Sequence, residues 1–124
     1  MPTFRDQRGM VTAEAALVLP LIAAFCLVMV WMLTLGIAQI RAVDAARDAA
    51  RALARGEDRG AAVSAAARTA PAGARVFFTE SAGTVTASVS AHVTAPSWLV
   101  LPLPSVDVES RSTVEVEPDG DLQP

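Results

Sequence analysis

The chain has 124 residues, 52% of them hydrophobic and 19% charged, with a mean hydropathy of +0.41 and a net charge of −3. That length accommodates one small domain. The lone cysteine, Cys26, excludes an internal disulfide framework and a Cys-based zinc site, and the lone histidine, His92, leaves little for a His-dependent catalytic constellation. Charge is unevenly spread: residues 1–75 carry nine Arg against six acids, whereas 76–124 carry one Arg against seven. Every basic residue is Arg and Ala is the commonest residue, a pattern of genomic base composition rather than of nucleic-acid binding.

In chain order, the first notable stretch is Arg8-Gly9-Met10-Val11-Thr12-Ala13-Glu14-Ala15-Ala16-Leu17-Val18-Leu19-Pro20. Glu14 stands at the entrance to an apolar run. A carboxylate at the centre of a membrane helix costs about 2.5–3.5 kcal/mol, and less near the interface. One reading makes Glu14 an interfacial acid favoured by a helix N-terminus. The other needs a cut between Gly9 and Met10, which creates an ammonium group four residues before Glu14, about one helical turn away. Such a pair, within one chain or between neighbours, offsets desolvation only when both charges are present and well placed.

Ala15 to Ile40 is a run of 26 residues without a charge, with Thr34 and Gln39 its polar side chains. As a helix it reaches ~39 Å, against a hydrocarbon core of ~30 Å. It is too long for the h-region of a cleaved secretory signal, so the span is expected to stay with the mature chain. Arg5 and Arg8 precede it, and Arg41, Arg47, Arg51 and Arg55 follow. Counted alone, these arginines place the C-terminal part in the cytoplasm. Pro20 lies inside the run, where a proline removes one helical hydrogen bond and favours a kink.

A short basic leader ending in Gly, an acid at the fifth mature position and an apolar helix resemble type IV prepilins. The run Arg8 to Pro20 is similar to the TadE-like minor pilins of tight-adherence (Tad/Flp) pili: Gly9, Glu14 and Leu17-Val18-Leu19-Pro20 match, with Ala15-Ala16 in place of the commoner Phe-Ala. The resemblance covers Arg8 to about Ile40. It implies processing between Gly9 and Met10, an assembly role for Glu14, and no cofactor. It also implies a prepilin peptidase, a major pilin, other minor pilins and an inner-membrane assembly platform as partners. Against the arginine count, it places the head outside the cytoplasm.

Beyond the span, Gln39 to Arg55 continues as an Ala-rich helix in which Ala38, Ala42, Ala46, Ala50 and Ala54 form a stripe of small side chains. Such a stripe lets another helix or a sheet approach closely. Arg47, Arg51 and Arg55 form a solvated row, with Asp44 and Asp48 three residues before the first two. Gly56-Glu57-Asp58-Arg59-Gly60 ends the helix. A second short helix over Ala61–Ala70 then stops at Pro71.

After Gly73 the period changes from 3.6 to 2. Strands are expected over Arg75–Glu80, Thr84–Thr94 and Ser105–Glu117, with Ser81-Ala82-Gly83 as a turn. Val85, Ala87, Val89, Ala91 and Val93 share one face of the second strand, and Val106, Val108, Val114 and Val116 one face of the third. A three-stranded antiparallel sheet with one apolar face needs a cover, which the Ala-rich helices can supply. Between the last two strands, Trp98-Leu99-Val100-Leu101-Pro102-Leu103-Pro104 is an apolar cluster broken by prolines. It either plugs a small core or makes an exposed contact through Trp98, Leu99 and Leu101, with a neighbouring subunit or the membrane.

Other candidate chemistry is weak. His92 sits on a polar strand face, and Cys26 reads as a small hydrophobe facing lipid or a helix. Asp107, Glu109, Glu115 and Glu117 share a strand face that could attract calcium, but no Asp/Asn/Gly loop accompanies them. No phosphate-binding loop, nucleophile–base pair or basic-aromatic surface is evident, so neither an enzyme, a small-molecule binder nor a nucleic-acid binder is expected. The expected organisation is an α+β protein with a leader (1–9), a transmembrane and assembly helix (10–40), a small extracytoplasmic head (41–117) and a flexible acidic tail (118–124). Taken with the resemblance, this organisation implies a single-pass minor pilin of a Tad pilus or related pseudopilus in the cytoplasmic membrane, in contact with lipid and incorporated in a surface pilus. Two rivals stay open: an unprocessed, signal-anchored accessory protein with a partner-binding domain, and a chain whose head is cytoplasmic.

Overall fold

The computed structural model describes residues 5–116, with side chains from Gln7 onward. Most of the leader's first residues, Glu117 and the acidic tail 118–124 lie outside the described residues. One helix, α1, runs from Arg5 to Ala54 without interruption, and the apolar run and the Ala-rich segment are therefore continuous. The helix passes through Pro20. There the missing N–H leaves the Ala16 carbonyl without its usual donor.

The end of α1 is built by glycine. Gly56 has φ +80, its N–H donates to the Leu53 carbonyl (2.9 Å), and the Glu57 N–H donates to the Ala52 carbonyl (3.1 Å). That pair of bonds is the Schellman arrangement, which uses carbonyls the helix cannot satisfy itself. Two residues later Asp58 starts α2 (Arg59–Ala67): its carboxylate accepts from the Ala61 N–H at 2.7 Å. The cap places Arg59 and Gly60 inside the helix, so α2 begins before the expected Ala61. It also ends at Ala67, earlier than expected, in a turn where Thr69 and Ala70 both donate to the Ala66 carbonyl.

Three strands follow, β1 (Arg75–Ser81), β2 (Thr84–Val93) and β3 (Val106–Glu115), in an antiparallel sheet of order β1-β2-β3. The β1–β2 turn is Ala82-Gly83, and both residues have positive φ (48 and 78). Positive φ at both positions defines the tight hairpin turn whose twist matches its strands. β2 alternates cleanly, with Val85, Ala87, Val89 and Ala91 buried. On β3, Val106, Ser110, Ser112 and Val114 are half-buried and Val108 is buried.

The sheet packs its apolar face on α1, and α2 packs beside it. The core is Ala42, Ala45, Ala46, Ala49, Ala50 and Ala52 of α1, Ala62 and Ala66 of α2, Ala87 and Val89 of β2, and Val108 of β3. Val89 is the largest fully buried side chain among the described residues. Small side chains let the sheet lie close against the helix backbone. The stripe departs from its expected course at Ala54, which is exposed, while Ala45, Ala49 and Ala52 are buried. The reason is geometric: four residues turn a helix by more than a full circle, so a strict i+4 row drifts off the face and i+3 steps must bring it back.

Polar groups tie the pieces together at the rim. Thr69 Oγ1 donates to Asp48 Oδ2 (2.9 Å), Arg59 pairs with Glu80, and Gln39 Nε2 donates to the Glu109 carbonyl (3.2 Å). Of the two expected pairs along the arginine row, Asp48–Arg51 forms at 3.2 Å and Asp44–Arg47 does not form; the third arginine of the row, Arg55, pairs with Glu57.

Candidate assembly and membrane interface

The N-terminal half of α1 stands bare. Every described residue from Gln7 to Ala23 is exposed, including Met10, Leu17 (78% exposed) and Leu21. Gln7–Ala54 is a helix long and apolar enough to cross a membrane, and little of its most apolar part is covered by the rest of the chain. Large apolar side chains facing outward along several turns need lipid or other helices as their surroundings.

Gly9, Met10 and Glu14 all lie on this bare segment within α1. From Met10 to Glu14 the helix rises about 6 Å, so the two are one turn apart on the same side. Nothing lies within 4 Å of where a Cβ on Gly9 would be, and its surroundings are therefore open. The turn around this position is helical, and Thr12 Oγ1 donates to the Arg8 carbonyl at 2.9 Å. Cys26 is exposed on the same half, with a free thiol.

Leu99 and Leu101 are half-buried, whereas Trp98 is 72% exposed and Val100 98%. Trp98 thus lies outside the core, while the leucines of the same segment are partly covered by the chain. The residue that sequence reasoning missed is Trp31, 5% exposed in the middle of the apolar run. Its spacing from Leu35, Ala38 and Ala42 on one helical face was the available signal.

The opposite face of the sheet is polar. His92 and Asp107 are directly paired across β2 and β3, with Nδ1 and Oδ1 2.5 Å apart and both side chains exposed. Arg111 pairs with Glu109 at 2.8 Å, and Thr86 and Thr113 join their hydroxyls at 2.9 Å. The carboxylates on this face are thus partly taken up by neighbours, and no group of three or more metal-ligating side chains gathers among the described residues.

Residues 9–51 match the family model described as TadE-like protein. The match begins at Gly9, takes in Glu14 and the whole apolar run, and ends in the Ala-rich half of α1. Over these residues the chain is similar to TadE-like proteins, and the match leaves the head beyond residue 51 unassigned. No curated protein and no solved structure matches the chain.

Proposed function

We propose that this chain, TadE-like over residues 9–51, is a membrane-anchored minor pilin, cut between Gly9 and Met10 by a prepilin peptidase. The observation that carries the reading is Glu14: an exposed carboxylate one turn beyond Gly9–Met10, at the start of a bare apolar helix. Cleavage supplies the α-ammonium of Met10. In the low dielectric of packed helices, that ammonium on one subunit attracts Glu14 of the next and sets their axial register. The bare face of α1 then exchanges lipid for neighbouring pilin helices. The major pilin, other minor pilins and an inner-membrane platform are the partners this requires, with the head outside the cytoplasm. A reporter active only outside the cytoplasm, fused after Glu115, is expected to be active; activity of a cytoplasmic reporter alone overturns the assignment.

The test is N-terminal sequencing or intact mass of membrane-extracted protein, which should show a chain beginning at Met10. Gly9→Ala should abolish the cut. Because space is open there, that loss would report peptidase recognition rather than damage to the fold. Glu14→Ala should leave insertion and cleavage intact while recovery in sheared pili falls by at least about tenfold, the equivalent of ~1.4 kcal/mol. Glu14→Gln should do nearly as badly. Full assembly of Glu14→Ala would reduce Glu14 to an interfacial acid. The rival is an unprocessed anchor, in which the helix runs unbroken from Arg5 across Gly9–Met10. An uncut chain in cells with active peptidase decides for it.

A further inference from the structure

Towards the N-terminus from Ala38, one stripe of α1 is shielded. Trp31 is 5% exposed, whereas its neighbours Val30 and Met32 are 60% and 57% exposed. Ala24, Leu27, Val28 and Leu35 are half-buried on the same helical face. Two landmarks orient the sheet. Gln39 reaches the backbone of Glu109, and a groove brings Thr34 and Ile37 of α1 beside Val93 and Thr94 at the end of β2. The β2–β3 end of the sheet therefore points toward the N-terminus of α1. Val106 pairs with Val93, which lines that groove beside Thr34 and Ile37, so the connection 94–105 leaves the sheet at that level of α1. Both the Trp31 stripe and Leu99, Leu101 and Leu103 of this connection are covered at least in part, and the two lie towards the same end of the fold.

This connection is suited to lipid. It carries no charge between Val93 and Asp107. Pro96, Pro102 and Pro104 have no N–H to leave unpaired, the Leu99 N–H donates to the Pro96 carbonyl (3.0 Å), and the Leu103 N–H donates to the Leu101 carbonyl (2.8 Å). Other N–H groups of the connection, those of Trp98 and Val100 among them, have no backbone partner, which suits the hydrated headgroup boundary and not the hydrocarbon interior, where irregular backbone must be satisfied internally. Leu99, Leu101 and Leu103 are half-buried, while Trp98 and Val100 face outward. Depth agrees: measured from Ala15, ~30 Å of hydrocarbon ends near Leu35, so Trp31 lies ~6 Å inside that boundary.

We infer that residues 94–105 are a second, shallow membrane contact, a wedge seated at the headgroup–acyl boundary of the leaflet on the head's side, with Trp98 and Val100 in lipid. Bare apolar residues of α1 at the same level, Val30 and Met32, share that surrounding. The inference rests on α1 spanning the membrane, and not on cleavage or pilus incorporation.

The experiment uses the full chain carrying Cys26→Ser in phosphatidylcholine–phosphatidylglycerol vesicles, without other pilus proteins. A nitroxide is attached in turn at Val100→Cys, Leu21→Cys and Glu115→Cys, and collisions with oxygen and with a water-soluble nickel chelate are measured. Position 100 should favour oxygen, with nickel accessibility at least about fivefold below that at position 115, as expected for an interfacial site. Nickel accessibility at 100 equal to that at 115, with 21 protected, overturns the wedge alone and leaves the anchor standing. Exposure at both 21 and 100 overturns the wedge together with the span. Protection at 100 that disappears on dilution of protein in lipid, with dipolar broadening between labels, assigns the loop to a second copy and likewise overturns it.

Discussion

The two halves of α1 share one backbone and almost nothing else. From Met10 to Val30 the helix carries Leu, Val, Met and Phe facing outward; from Ala38 to Ala52 it carries buried Ala. Apolar area removed from water stabilises by about 25 cal/mol per Å². By that measure the half with the larger side chains has the most to gain, yet the folded chain leaves it bare. Large side chains on this helix serve the surroundings, and small ones serve the fold. An alanine face buries little area per residue, so the head depends on close approach of sheet to helix.

The sharpest way to break the contrast is to exchange side-chain size between the halves. Ala46→Leu, fully buried between helix and sheet, should destabilise the head by about 1–3 kcal/mol through overpacking. Leu17→Ala, on the bare half, should leave head stability within about 0.5 kcal/mol. Amide exchange of β2 in detergent micelles measures both; equal losses would make α1 one cooperative unit. A smaller effect is expected at the junction, where Asp58→Ala removes the α2 cap and should cost about 1 kcal/mol, read as faster exchange over Arg59–Ala67. Smallest is the exposed sheet face. Coupling between His92→Ala and Asp107→Asn in a double-mutant cycle should stay below about 1 kcal/mol, as for other solvent-screened pairs.

Periodicity was enough to read the span, the change to strands after Gly73 and the apolar face of β2, because each rests on several residues repeating at one spacing. What escaped rests on single residues or on distance. Asp58 caps α2 with one side chain, and the flanking glycines outweighed it in the sequence. Ala54 follows the i+4 row yet leaves the face, since the row drifts. Trp31 is covered although it sits in the apolar run, and no local pattern announces that burial. Gly9 and Glu14 stand out only through the resemblance that carries them, since burial does not distinguish them from their neighbours, all of them exposed.

The absence of any break in α1 between span and head has a mechanical consequence. Gly36 lies near the expected membrane boundary, but the helix runs through it unbroken, and the sheet is clamped by packing and by the Gln39–Glu109 bond to the same rod whose apolar half is long enough to cross a bilayer. The azimuth of the helix therefore dictates the compass bearing of the head. Whatever rotates or tilts α1, whether bilayer thickness or a neighbouring helix, turns the face bearing His92, Asp107 and Arg111 through the same angle. In the pilus assembly proposed above, that polar face would point wherever helix packing aims it.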